Sequence, residues 1–330
     1  MIPNTLPKSL VDNPRLDTWV AFESGGKVRV ATGKVELGQG IVTALAQIAA
    51  EELDVAPERL RIVSGDTGHS PNEGYTAGSL SVEGSGAAIR LACAEVRHLF
   101  VARAAEALGM EPGRITVEDG RVLRDGVDTG FDYWTLAPQV DLSRDATGNA
   151  PAKSPASFRI VGTSQPRLDL PEKLFGAPFV HDLAPPGLLH ARVLHRPWGG
   201  ARLASLDEAR LRRAAKGAFE ILRDGDFLAF VAEEEAVAAA AVTAGRALVV
   251  WDGGAPVSDE AATSPWLTTR VTSARAVSTG AALPASHFEA TYTRPYTAHG
   301  SIGPSCAVAL YEDGRLEYQM SLAPAGEGGP

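Results

Sequence analysis

Between Lys27 and Asp54 the hydrophobic residues change from an alternating to a helical spacing. The alternating part predicts an extended, half-buried chain with hydrophobic residues at Val28, Val30, Val35 and Leu37. After Gly38-Gln39-Gly40, helical spacing over 40–53 places on one face Ile41, Leu45, Ile48, Ala49 and Leu53. A second strand predicted over 59–66 completes a βαβ-like unit on a sheet.

The pattern beyond this unit alternates between polar loops and regular elements. A loop rich in Gly, Ser, Thr and Pro over 67–81 precedes a long hydrophobic helix over 82–108. Alternation over 114–127 around Asp119-Gly120 indicates a hairpin. Residues 138–157 lack periodicity and predict a linker.

The second half of the chain predicts a compact α+β domain. Strands are expected over 188–194 and 247–251, helices over 206–215 and 233–246, and a hairpin around Asp224-Gly225. Asp313-Gly314 marks a last hairpin within 288–320.

Composition narrows the class of protein. The chain has 330 residues, which favours two domains, and its net charge of −9 argues against general binding of nucleic acid or acidic membranes. Cys93 and Cys306 are far apart and form no CxxC, so we expect both to pack in the core rather than bind metal. No apolar leader or spanning run is present, which predicts a cytoplasmic protein unless a signal-bearing partner exports it.

The glycine turn is the first candidate binding site. Two glycines at the start of a helix allow close backbone approach, and free amides at the positive end of the helix dipole suit an anion. We expect Glu51, Glu52 and Asp54, at the opposite end, to lie on a solvated face. A tight strand-to-helix turn without a ligand is the alternative.

The polar loop before the second helix is a second candidate. Two glycine- or hydroxyl-rich loops, each ending at a helix N-terminus, suggest one large polyanionic ligand held by amides and hydroxyls. The alternative is a surface loop with Ser81 or Ser85 as the N-cap of the helix.

Three segments together resemble the molybdopterin-binding subunit of the xanthine dehydrogenase/aldehyde oxidase family, nearest its isoquinoline 1-oxidoreductase beta-subunit and nicotinate dehydrogenase-like branch. They are GKVELGQGIVTALAQIAAEELDV, SGDTGHSPNEGYTAGSLSVEGSGAAIR and RPYTAHGSIGPSCAVA. The resemblance implies an α+β fold in which portions of the molybdopterin-binding domain flank an α/β hammerhead domain. The implied segments are a cofactor-binding part (1–140), a linker (141–157), a hammerhead domain (158–256) and the start of a further cofactor-binding segment (257–330).

The resemblance also implies a cofactor and a partner subunit. The family binds molybdopterin with molybdenum, in bacteria often as molybdopterin cytosine dinucleotide, and hydroxylates an electron-poor carbon of an N-heteroaromatic or aldehyde with oxygen from water. Electrons pass to [2Fe–2S] clusters on a small ferredoxin-like subunit. The positions that match the family's cofactor loops are Gly38, Gln39, Gly40, Thr76, Ala77, Gly78, Ser79 and Ser81.

Two departures from the family pattern affect catalysis. Family members are longer, and their catalytic glutamate lies in a late Gly-Glu motif that we do not equate with Glu327, so we expect this chain alone to be inactive. Gly303 stands where purine-oxidising members carry a glutamate, which argues against purine oxidation. We place His299, Ser301 and Gly303 at the wall of a substrate pocket, with His299 structural rather than catalytic.

The acidic residues within the matched motifs have other expected roles. Glu36 lies in an alternating stretch and should face solvent, and Asp66 should cap the following loop. Glu73 and Glu83 flank the polar loop and should point outward, away from a phosphate. His69, in the same loop, should be exposed.

Two further functions stay open from the sequence. One is a catalytically incomplete protein or an assembly or binding module without metal. The other is a nicotinamide-dinucleotide binder built on residues 27–66, although Thr43 stands where the third glycine of that fingerprint belongs.

Overall fold

A computed structural model describes residues 6–176, 178–269 and 305–321, together with the single positions 280, 288, 290 and 292. The chain divides into two compact units, of which one ends at residue 177 and the other begins at Pro178. Each unit is described separately.

The helices and strands of the described residues are numbered in chain order. The helices are α1 (Lys8–Asp12), α2 (Leu16–Trp19), α3 (Ile41–Leu53), α4 (Ala87–Leu108), α5 (Tyr133–Leu136), α6 (Leu170–Leu174), α7 (Glu208–Ala215), α8 (Glu235–Gly245) and α9 (Ser264–Thr268). The strands are β1 (Val20–Glu23), β2 (Lys27–Thr32), β3 (Leu60–Ser64), β4 (Ile115–Glu118), β5 (Arg121–Arg124), β6 (Val127–Asp132), β7 (His190–Val193), β8 (Arg202–Leu206), β9 (Glu220–Asp224), β10 (Phe227–Ala232), β11 (Val249–Asp252), β12 (Cys306–Glu312) and β13 (Arg315–Ser321).

The first unit contains the predicted βαβ unit. Strands β2 and β3 pair in parallel, with Val30 opposite Ile62, and α3 connects them, which confirms the prediction. Strand β1 pairs antiparallel with β2 on the other side. Helix α3 begins one residue after the predicted start, because Gly40 adopts a left-handed conformation with φ of 79° and acts as the N-cap.

Helices α3 and α4 pack against each other in the first unit. A one-turn π-helix, Ser81–Gly86, leads into α4, and neither Ser81 nor Ser85 caps α4 with its side chain, so the N-cap alternative is wrong. A Cβ atom added to Gly86 would lie 3.0 Å from Ile48, so the absence of a side chain allows the two helices to approach closely. Cys93 is fully buried in the core, as expected, and burial raises the pKa of its thiol.

A three-stranded antiparallel sheet, β4-β5-β6, completes the first unit. Its first turn lies at Asp119-Gly120, as predicted, where both residues have positive φ. The Asp119 carboxylate accepts hydrogen bonds from Arg59 and from the Ala56 amide, and the Arg59 contact lowers the pKa of Asp119. This pair joins the hairpin to the connection between α3 and β3.

Two small sheets of the second unit share a core. Strands β7, β10 and β9 form one antiparallel sheet and β11 and β8 another. Helices α7 and α8 pack on each other and on this core, in which Leu211, Leu228 and Phe230 are fully buried. The predicted hairpin around Asp224-Gly225 and the one around Asp313-Gly314 are both present, the latter as β12 and β13. Cys306, at the start of β12, is only half-buried, contrary to its predicted packing.

The structure confirms a mixed α+β fold with several small sheets. The hammerhead arrangement over 158–256 stays a prediction, as do the other segment boundaries. In the parts of the chain described above, no helix is long and apolar enough to cross a membrane.

Candidate functional site

The glycine turn folds around a carboxylate of its own chain. Oε1 of Glu36 accepts hydrogen bonds from the amides of Gly38 at 2.9 Å and Gly40 at 2.8 Å, and Oε2 accepts one from Val42 at 3.3 Å. The Glu36 side chain is only 10% exposed, so the prediction that it faces solvent is wrong. A carboxylate is favourable at a helix N-terminus because it meets unpaired amides and the positive end of the dipole.

The side chain of Gln39 also bonds within the turn. It accepts a hydrogen bond from the Leu37 amide at 2.5 Å and donates one to the Val35 carbonyl at 3.1 Å. The amides of Gly38 and Gly40, which the sequence suggested were free for an anion, are therefore occupied by Glu36 in this structure. Sequence reasoning missed this because Glu36 is separated from the helix by the turn that it stabilises.

The polar loop is anchored to the end of β2 by Glu73. Its Oε2 accepts hydrogen bonds from the Thr32 hydroxyl at 2.9 Å, the Gly33 amide at 2.8 Å and the Ser85 hydroxyl at 2.9 Å. The prediction that Glu73 points outward is thus wrong. Three donors compensate Oε2 for its loss of solvent, whereas Oε1 is buried with no hydrogen-bond partner among the described residues. Glu83 is exposed, as predicted.

Two more contacts bring the loop alongside the glycine turn. The ammonium group of Lys34, which is almost fully buried, donates to the carbonyls of Glu73 and Tyr75 at 2.7 and 2.8 Å. The Val35 amide donates to the Thr76 hydroxyl at 2.9 Å. These bonds place residues 75 and 76 directly beside the segment that enters the turn.

The two loops line one open cleft of about 390 Å³. Six of the eight predicted cofactor-binding residues lie in its wall: Gln39, Gly40, Thr76, Ala77, Ser79 and Ser81. Gly38 and Gly78 are not among the wall residues. The remaining wall is apolar and comes from Leu37, Ile41, Ala44 and Val82. None of these ten wall residues is charged. They therefore neither repel a charged ligand nor form an ion pair with it.

The rest of the polar loop behaves as the sequence predicts. Asp66 caps the loop by accepting from the Gly68 amide at 2.8 Å, and its carboxylate lies 2.9 Å from Nδ1 of His69. That contact lowers the pKa of Asp66. His69 is exposed, as expected, and is not one of the ten wall residues of the cleft.

The C-terminal end of α3 contradicts the prediction of a solvated acidic face. Glu51 and Glu52 are 2% and 1% exposed. Burial alone would raise the pKa of Glu51, but amides of residues 159–161 and the nearby Lys153 hold it below its ordinary value. Arg90 lies 3.1 Å from Glu52, and Lys153 lies 2.5 Å from Asp54.

Glu51 also holds a segment that begins at residue 159, shortly after the predicted linker. We call residues 159–169 the strap. Oε2 of Glu51 accepts from the amides of Arg159, Ile160 and Val161 at 2.8, 2.6 and 3.1 Å, which fixes the first end of the strap on α3. In the sequence, the local sign of this contact is the spacing of the polar residues Thr43, Gln47 and Glu51, which are four residues apart on α3.

The predicted substrate-pocket residues His299, Ser301 and Gly303 lie outside the described residues, as does Glu327. Among the residues that the structure describes, no three histidine, cysteine or acidic side chains cluster as metal ligands do.

Comparison with known proteins identifies the first unit. Residues 5–159 match the family model of the molybdopterin cofactor-binding domain. This range contains both cleft-forming loops and most of the described first unit. Residues 5–159 therefore form a molybdopterin cofactor-binding domain.

The relatives extend the match along the chain. A nicotinate dehydrogenase subunit of Pseudomonas putida is 33% identical over 322 residues, covering 93% of this chain and 27% of that protein. The beta subunit of isoquinoline 1-oxidoreductase from Brevundimonas diminuta is 26% identical over 237 residues, covering 60% and 30%. The chain is a homologue of these two proteins, which confirms the family predicted from the sequence, and it spans less than a third of their length.

A solved structure, quinoline 2-oxidoreductase of Pseudomonas putida 86, is 30% identical over a match that covers 38% of this chain and 18% of that one. Its TM-score is 0.32.

Proposed function

We propose that the cleft between the glycine turn and the polar loop binds the dinucleotide part of a molybdopterin cofactor in an oxidoreductase subunit. The observation that carries this proposal is the common cleft, since two loops about 40 residues apart in sequence, near Gly40 and Ser79, form one wall. Its volume of about 390 Å³ lies within the range of small-molecule sites, roughly 300–1,000 Å³.

The chemistry of the wall suits a phosphate-bearing ligand. Ser79 and Ser81 contribute hydroxyls, and the side chain of Gln39, which bonds within the turn, lies in the same wall, so the polar groups of the wall are neutral. Neutral donors can bind a pyrophosphate by hydrogen bonds alone, without a lysine or arginine side chain. The apolar residues Ile41 and Val82 offer a surface against which a ring of the cofactor could pack. The bound cofactor would supply redox chemistry, while these residues would bind and orient it.

Family membership supports the wider assignment. We propose that the complete protein hydroxylates an N-heteroaromatic or an aldehyde with oxygen from water, and that a small [2Fe–2S] subunit accepts the electrons. The curated relatives are named as subunits, which supports a multisubunit assembly. Molybdopterin cytosine dinucleotide is the proposed form of the cofactor.

Gly40→Val tests the site. Gly40 has φ of 79°, and a Cβ there would have no protein atom within 4 Å, so valine would strain the turn and place a branched side chain at the cleft. Gly109→Val is the matched control, because Gly109 has φ of 62°, follows a helix and also has open space around it.

The measurement is molybdenum and pterin bound per chain after expression of the full chain in a host that makes the cofactor. We expect the native chain and Gly109→Val to bind both, and Gly40→Val to lose most of them. Equal occupancy in the two variants, or no pterin on the native chain, would contradict the proposal.

A further inference from the structure

The strap follows α3 along most of its length. Thr43, Gln47 and Glu51 are four residues apart and so lie on one face of the helix. Besides the Glu51 contacts, Gln47 donates to the carbonyls of Ile160 and Thr163 at 3.1 and 3.0 Å. The Thr43 hydroxyl accepts from the Leu168 amide at 3.0 Å. The strap therefore runs antiparallel to the helix, from its C-terminal end to the glycine turn.

Near its second end, the strap brings the guanidinium group of Arg167 to the glycine turn. Arg167 donates to the Gly38 carbonyl at 2.8 Å, and its Nη2 lies 3.4 Å from Oε1 of Glu36. The same guanidinium forms a two-pronged pair with Asp169 at 2.9 and 2.6 Å, and Lys173 lies 2.7 Å from that carboxylate. The contacts with Arg167 and Lys173 lower the pKa of Asp169, so this carboxylate stays ionised at neutral pH.

We infer that Arg167 is a positioning residue for the cofactor cleft, acting through Glu36 and the Gly38 carbonyl. This inference rests on the proposed function of the cleft. Glu36 holds the amides of Gly38, Gly40 and Val42, and Arg167 contacts both Glu36 and the peptide carbonyl of Gly38. A planar guanidinium that is held by Asp169 has little freedom, so the turn and its cleft wall are fixed before a ligand arrives.

The alternative is that Glu36 stands in for a ligand anion and leaves when a phosphate binds. The two arrangements predict opposite effects of Glu36→Gln. If Glu36 positions the turn, the substitution weakens binding, because the amide group cannot accept from all three backbone donors. If a phosphate displaces Glu36, removal of its charge strengthens binding.

The first measurement is hydrogen exchange at the amides of Gly38, Gly40 and Val42 in the full chain. In Arg167→Gln we expect exchange to become roughly tenfold faster, since charge-assisted hydrogen bonds that close the turn are lost. Arg114→Gln is the matched control, because Arg114 also forms a two-pronged pair with an aspartate, Asp125, on the distant hairpin. Arg167→Lys, which keeps the charge but not the fork, should fall between.

The second measurement is the affinity for cytidine 5′-diphosphate, used as a probe of the dinucleotide part. We expect Arg167→Gln and Glu36→Gln each to weaken binding several-fold, and the double variant to be little worse than either, because both act through one turn. Tighter binding in Glu36→Gln, or unchanged exchange in Arg167→Gln, would overturn the inference. Faster exchange with no affinity in the native chain would support the positioning role but contradict the proposed function of the cleft.

Discussion

Glu51→Gln weakens the contact between the strap and α3 while it keeps the shape of the side chain nearly unchanged. In the native chain one oxygen of Glu51 accepts from three successive amides at 2.6 to 3.1 Å, and Lys153 lies 3.4 Å from the other oxygen. Glutamine keeps one acceptor oxygen, but its NH₂ group must then face either the amides or the ammonium of Lys153. The substitution therefore loses the ionic part of every contact.

The size of the effect follows from these contacts. A hydrogen bond to a charged group contributes about 1.5–3 kcal/mol, whereas a neutral one contributes roughly 1 kcal/mol. Arg159 is exposed, so water can replace Glu51 as the acceptor for its amide. Lys153 keeps its contact with Asp54 at 2.5 Å. We expect a local loss of about 2 kcal/mol, which corresponds to roughly a 30-fold increase in the opening of the strap.

Hydrogen exchange of peptides covering 159–163 measures this opening directly. Glu111→Gln is the control, since it removes the same charge from an exposed glutamate of the first unit whose side chain caps no helix. Protection of the strap should fall in Glu51→Gln and stay unchanged in Glu111→Gln. Equal protection in the two variants would refute the view that Glu51 holds the strap.

Two further predictions concern pH and packing. Because its contacts hold the pKa of Glu51 below the ordinary value near 4.5, its stabilising effect is complete above that pH and is lost as the pH falls through the lower, folded-state pKa. Protection of the strap should therefore decrease in acid in the native chain, and Glu51→Gln should lack this step. Gly33→Ala should lower the free energy of unfolding, measured by calorimetry, by about 1–3 kcal/mol, because its Cβ would overlap the main-chain oxygen of Pro71; Gly113→Ala, with no atom within 4 Å, should not.

Periodicity was sufficient to predict the framework of the first unit. The change from alternating to helical spacing at Gly38–Gly40 located α3 to within one residue, and the strands on either side pair in parallel as expected. Hydrophobic spacing works here because α3 buries Leu45, Ala49 and Leu53 against the sheet and α4. The Asp-Gly turns were also correct: at 119–120 and 313–314 both residues adopt the positive φ that a tight hairpin needs, whereas at 224–225 Gly225 alone of the two does so.

Polar residues were predicted less well because their partners are distant in sequence. Glu51 binds amides 108 to 110 residues away, and Glu73 binds Thr32 across 41 residues. No local pattern distinguishes such a carboxylate from one that faces water. The spacing of Thr43, Gln47 and Glu51 was visible, but a polar stripe on a helix usually indicates a solvated face.

The charges on α3 explain why the strap and the turn are structurally linked. Glu36 at the N-terminal end is favoured by the helix dipole, whereas Glu51 and Glu52 at the C-terminal end are disfavoured by it and are also buried. They are tolerated because Arg90, Lys153 and the strap amides supply donors there. The segment that compensates the unfavourable end is the one that continues along the helix and brings Arg167 to the favourable end. Glu51 therefore fixes the first end of the strap, and Gln47 and Thr43 continue its path along α3 to the guanidinium group beside the cofactor cleft.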